Sequence, residues 1–404
     1  MCVTWHNARY AALDEWTRGD GRTDRSVHRS STVLRNSCRG APDVSTFSLT
    51  RVMVTVVAVA AMTVFGSATG SADPAVPPSP APGGARTFSE LPLPGQPEGI
   101  AVDPSDGSVW TGSNRPRSTG TVWHHDGSGE LIGTYDLVGH SPDAEHGVNG
   151  IALDGAGRVY ALDWSGARAV RLDPASGAQS VYATFPDLPS CGRGIVPCEP
   201  SPVDRPAWPN YPVFDAAGNL YVSDLNQATI WKVPAGGGEA RIWYQSPDFV
   251  SLYSVNGMQF DAQGRLVFVV TISLTADPSI FRGKLFRLGV DGNGGPGTRE
   301  EIATTSQGDG IAIGESGRVY VAVANPIIND VEIVEPGRGV VGALPSPEAR
   351  AALAVPLVTP ASLAFRGTSV LATNHSQYAI DPREWSIQEL GVGERGLPLL
   401  YPTP

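Results

Sequence analysis

The sequence predicts an all-β chain folded as a six-bladed β-propeller of four-stranded blades, closed by an N-terminal strand. Two observations carry this prediction. A short phrase, a polar residue opening an apolar strand, recurs with its opening residue at Glu98, Asn149, Asn210, Asn256, Asp309 and Ser362, a spacing of 46 to 61 residues. That is the period of four-stranded blades at its long end. Within the phrase a tight turn also recurs, as in Asp154-Gly155-Ala156-Gly157, Asp215-Ala216-Ala217-Gly218 and Asp261-Ala262-Gln263-Gly264. An Asp side chain bonds the turn backbone and Gly supplies positive φ, so each turn joins the first two strands of a blade.

The elements follow in order. Residues 1–72 read as a leader that contains a secretory signal. Arg51 to Phe65 is a short apolar run, followed by the small residues Gly66 to Ala72. Such a run suits a signal core better than a membrane span, so the expectation is a secreted, extracellular protein with no stable membrane span once the signal is removed. Residues 1–50 are rich in Arg, Ser and Thr and show no sustained period; a start assigned too early and a disordered leader are both consistent with them.

Residues 73–85 are a Pro-rich linker, extended and solvated. The propeller spans 86–404. Third and fourth strands follow most hairpins, for example Ala228 to Val233 and Ala240 to Tyr244. The last phrase shows only one further strand, Trp385 to Leu390, and Arg86 to Leu91 is expected to supply the missing fourth and remove a bare edge. Two segments break the rhythm. Pro186 to Asn210 is expected to overhang the axis, pinned by a disulfide between Cys191 and Cys198, as an even cysteine pair in an exported chain implies. Pro345 to Pro360 holds a candidate short helix.

Bulk charge narrows the partners. The 404 residues carry a formal charge of -11, which repels phosphate backbones and argues against nucleic acid. Lys232 and Lys284 are the only lysines, and both sit in strand phrases away from the opening residues, which leaves Schiff-base chemistry without a candidate. No Gly-x-Ser-x-Gly elbow is present. Oligomeric state is not legible.

Equivalent residues in a ring of blades converge on one axis. Glu98, Asn210, Asn256 and Asp309 therefore offer two carboxylates and two amide carbonyls, hard donors of the kind Ca2+ or another divalent cation prefers. Polar residues at strand starts also serve simply to bond neighbouring backbone, and Asn149 and Ser362 fit that reading; Asn149 is in addition a candidate substrate contact.

The openings Pro97-Glu98-Gly99-Ile100, Asn256-Gly257-Met258 and Asp309-Gly310-Ile311-Ala312, with Asn210 ahead of Val213 to Asp224, resemble the gluconolactonase, senescence marker protein and luciferin-regenerating enzyme family. The resemblance covers residues 86–404 and implies a six-bladed, calcium-dependent hydrolase with Glu98, Asn256 and Asp309 as metal ligands and Asn210 as the fourth. It implies a small-molecule lactone or ester as substrate. Where such proteins usually carry Arg two residues before the third-blade Asn and Asp directly after it, this chain has Trp208 and Tyr211. That exchange points away from a free sugar lactone towards a more apolar substrate.

On this reading a cation polarises the carbonyl, and Asp309 orients or deprotonates the attacking water. Asn210 fixes the substrate oxygen. His375 is a candidate proton carrier, and His146 and Trp208 are candidate substrate contacts. Two alternatives stay open: a non-catalytic propeller whose axial cation is structural, and a phosphotriester hydrolase that uses the same site.

Overall fold

The computed structural model describes residues 77–189, 205–273, 282–378 and 381–402. They form six antiparallel blades of four strands each. The inner strands are Pro97–Val102, Val148–Leu153, Pro209–Phe214, Val255–Phe260, Gly308–Ile313 and Pro360–Arg366, and five of the six predicted opening residues lie second in their strand. Closure is as the sequence predicts: Ala85–Glu90 pairs with Ser386–Gly391, so the first and last strands of the propeller share one blade. Among the described residues the only addition to a blade is Gly238–Glu239, which pairs parallel to Gln179–Thr184 of its neighbour.

The hairpin turns form by the mechanism their residues dictate. The Asp154, Asp215 and Asp261 side chains each accept backbone N–H bonds from two and four residues on, at 2.8 to 3.0 Å. Gly157, Gly218 and Gly264 hold φ between 72° and 83°, where a side chain would be strained. Between blades the apolar faces interlock around Trp110, Trp123, Trp231, Tyr221, Tyr320 and Phe268, all essentially buried. These aromatics are consumed by packing. The candidate helix forms over Pro347–Ala352, with the Ser346 hydroxyl capping its first turn.

Each inner strand carries a register shift just after its opening. Pro97 faces Ser113 while Ile100 faces Thr111, and the same irregularity recurs in all six blades. Such bulges re-aim side chains at a rim. Here they turn the opening residues toward the axis. In the last blade the shift begins at Pro360, facing Asn374, so Ala361 and not Ser362 takes the place of Glu98. Ser362 instead matches Gly99 and Gly310, and a Cβ on Gly310 would lie 2.6 Å from the Ser362 Cα. The axial set thus has one fewer polar member than the sequence pattern predicts.

Candidate active site

Glu98, Asn210, Asn256 and Asp309 line one small cavity at the mouth of the axis, with a volume of about 70 Å3. The first three are buried, and Asp309 is half-buried. The Glu98 carboxylate accepts from both sides: Asn210 Nδ2 donates to Oε1 at 3.2 Å, and Asn114 Nδ2 donates to Oε2. Asn256 Nδ2 donates to Thr271 Oγ1 at 3.1 Å, while its Oδ1 is buried with no hydrogen-bond partner.

The electrostatics are unbalanced. Burial pushes the Glu98 carboxyl up to about 7 against the pull of its two amide donors. Burial and the Glu98 charge together hold Asp309 well above the usual carboxylate range, opposed by a hydrogen bond from Asn256. Among the described residues lining the cavity, none is Lys or Arg. Two enclosed carboxylates without a cationic partner are costly, and a divalent cation is the species whose charge matches theirs. The free carbonyl oxygen of Asn256 is a donor of the right kind. The residues present therefore fit Ca2+.

His375 lies beside this set, its Nε2 3.8 Å from Glu98 Oε2, beyond hydrogen-bond reach. Burial, with the nearby His146, pulls its imidazole down to about 3, so it is neutral at pH 7 and a weak base. That weakens the expected role as proton carrier. His146 and Trp208 both line the cavity, and burial pulls His146 down to about 4. Asn149 does not line it: its Nδ2 donates to the Pro209 carbonyl at 2.9 Å and ties the second blade to the third. Cys191 and Cys198, like the apolar run at 51–65, lie outside the described residues. So does most of the expected overhang, although Trp208 at its end reaches the cavity.

A second tier, of which the sequence reading singled out only His375 as a site residue, surrounds this set. The residues directly after the second strands of the six blades are Asn114, Trp164, Leu225, Thr271, Ala324 and His375, and all but Trp164 line the cavity. The signal was the distance from the turn Gly, seven residues in five blades (Gly107, Gly157, Gly218, Gly264 and Gly317) and eight from Gly367 in the last. Asn114 matters most, because it also accepts the Gly147 N–H at 3.0 Å and so fastens Glu98 to the strand entry of the next blade. Tyr253, Ile272, Gln307, Gln377 and Tyr378 complete the described wall.

Tyr211 crosses the axis and lines a second chamber. Its hydroxyl reaches across the axis to within 3.4 Å of the Ile311 carbonyl and 3.5 Å of the Leu363 carbonyl. The equivalent position is Gly in four other blades, where an added Cβ would lie 2.2 to 2.5 Å or 2.6 Å from the neighbouring inner strand. Burial and the Asp309 charge hold the phenol above its ordinary range, consistent with a ring lying close beneath the cavity. Below it a chamber of about 460 Å3, lined by Ile100, Ile151, Met258 and Leu363, is covered by the C-terminal segment through Tyr401. That lower chamber holds neither Glu98 nor Asp309.

No protein-family model matches the chain, and no curated protein matches it by sequence. Solved structures do. A regucalcin from Agrobacterium tumefaciens, described as a calcium-binding protein, superposes with a TM-score of 0.55 at 16% identity over 79% of this chain and 97% of its own. A structure assigned provisionally to the gluconolactonases gives 0.54 at 16% identity, covering 78% and 94%. The PQQ-bound aldose sugar dehydrogenase from Streptomyces coelicolor gives 0.52 at 17% identity, covering 78% and 99%. Because a dehydrogenase shares the architecture, the fold alone does not choose the reaction. What these likenesses establish is that this chain has the propeller fold of the gluconolactonase and regucalcin structures, the group its strand openings resemble.

Proposed function

We propose that the chain is a calcium-dependent hydrolase that opens a lactone or ester. The observation that carries this reading is the pair of enclosed carboxylates, Glu98 and Asp309, facing one cavity with the amides of Asn210 and Asn256 and with no Lys or Arg among its described lining residues. Glu98, Asn256 and Asp309 would hold the cation, with Asn210 as the fourth donor. When bound, the cation supplies Lewis acidity toward a carbonyl oxygen.

The remaining steps fall to side chains. Asp309, the acid most open to the cavity, takes the proton of the attacking water through a carboxylate oxygen. Asn114 and Asn210 hold Glu98 in one orientation from opposite sides, so its lone pairs are fixed before substrate arrives. Thr271 does the same for Asn256. His375, neutral and buried, walls the site and keeps bulk water from Glu98. The apolar run at 51–65 supports export as part of this proposal.

The small cavity favours one second reading, a binding module whose axial cation is structural. Hydrolysis of sugar, aliphatic and aromatic lactones by wild type and Asp309→Asn, with and without chelator, separates the two. Chelator-sensitive turnover that is lost in the variant supports the hydrolase. Stoichiometric Ca2+ without turnover of any lactone would leave the binding module.

A further inference from the structure

The charge and shape of the mouth limit what can enter. Among the described lining residues Glu98 and Asp309 are the only acids, and none is Lys or Arg. One divalent cation cancels both acids. Nothing cationic then remains to neutralise a carboxylate on the substrate, and an anion would enter without a partner at high cost. His146 does not supply the charge, since it is neutral at pH 7.

Volume adds a second limit. A cavity of about 70 Å3 falls well below the roughly 300 to 1,000 Å3 of pockets that enclose a whole ligand. The carbonyl end of a substrate fits inside, and the rest must lie at the mouth. There the wall is Trp208, backed by two further rings. His146 packs on Trp208 at 4.1 Å between centroids, and Trp164 lies edge-on, 5.4 Å from His146 and 6.2 Å from Trp208. Trp208 is fixed from behind as well. Its backbone N–H donates to Asp224 Oδ1 at 3.1 Å, and its carbonyl accepts the Leu225 N–H at 3.0 Å. Asp224 is itself buried and held by Gln227 and Trp231. A flat ring held this firmly takes another flat ring at little cost in side-chain ordering.

We propose that the site takes an uncharged ester or lactone bearing an aromatic ring, which lies against Trp208 while the carbonyl enters the cavity. This rests on the hydrolase reading for its reaction, though not for its recognition. Exclusion of anions follows from the lack of Lys and Arg among the described lining residues, and preference for a ring follows from the braced indole.

The test pairs turnover with binding. Initial rates are measured for dihydrocoumarin, δ-valerolactone and gluconolactone, and binding of α-tetralone, an aromatic ketone that cannot hydrolyse, is followed by tryptophan fluorescence. Wild type should favour dihydrocoumarin over both other lactones. Trp208→Leu should lower its kcat/KM and its affinity for α-tetralone by about fivefold to tenfold, the size of a stacking contact, and lower δ-valerolactone by a smaller factor. Trp208→Tyr keeps a ring and should restore the preference, which separates recognition from a general loss of fold. The proposal is overturned if gluconolactone is favoured, or if Trp208→Leu lowers all three lactones equally. If no lactone is turned over but α-tetralone binds in a Trp208-dependent way, the recognition stands and the hydrolase reading falls. Failure of α-tetralone to bind wild type overturns the recognition itself.

Discussion

Asn210 Nδ2 donates to Glu98 Oε1 at 3.2 Å, joining the inner strands of the first and third blades across the mouth of the axis. Glu98 is thus held by amides, not by a cation of the protein, and its burial is uncompensated in charge. Glu98→Gln removes that burden. In chelator at pH 8 the variant should melt at or above the wild-type temperature, while its affinity for Ca2+ falls by roughly two orders of magnitude with the loss of a charged ligand. Calorimetric melting and a calcium titration read the two effects separately; a variant less stable than wild type without calcium would contradict the account of Glu98.

Stability without the cation should depend on pH in a set direction. The Glu98 carboxyl is raised from an ordinary 4.5 to about 7 by burial. A carboxyl raised in the folded state binds more protons there than in the unfolded chain. Stability is therefore lost as pH rises from about 5 to about 8, and Asp309, also raised, shifts it the same way. With saturating Ca2+ the fall should vanish, since the cation replaces the proton. Melting temperatures across this window, with chelator and with Ca2+, show whether the slope changes.

Asn114→Ala removes the donor to Glu98 and the acceptor of the Gly147 N–H together. We expect a loss of about 2 to 3 kcal/mol in unfolding free energy and an affinity for Ca2+ weaker by about tenfold or more. Chemical denaturation and calcium titration check both.

Tyr211 is held by its ring more than by its hydroxyl, whose contacts at 3.4 and 3.5 Å are long. Tyr211→Phe should cost no more than about 1 kcal/mol, whereas Tyr211→Ala leaves a cavity under Asp309 and should cost about 3 to 5 kcal/mol. Urea unfolding of the two variants distinguishes a packed ring from a hydrogen-bonded one.

These predictions show where the sequence speaks and where it stops. The blades were legible because Asp154, Asp215 and Asp261 write their own turns, with a Gly three residues on whose φ only it accepts easily. Convergence of Glu98, Asn210, Asn256 and Asp309 was legible because one residue per blade opens each inner strand. Ser362 misled because its blade lacks a polar opening residue, and a neighbour one step along the strand supplied a false match; only the pairing of Pro360 with Asn374 sets the register. Asn114 was missed because its role depends on a contact between two strands of one blade and a third from the next. The weakness of His375 as a base was hidden too, since burial and not residue type decides its protonation.

The central claim is that Glu98, Asn210, Asn256 and Asp309 form one divalent-cation site on the axis. The most direct measurement is a calcium titration by calorimetry on chelator-stripped protein and on Asp309→Asn. The account predicts one Ca2+ per chain for wild type, with affinity weakened by roughly two orders of magnitude or abolished in the variant. Wild type that binds no Ca2+, or a variant that binds it as tightly, would contradict it.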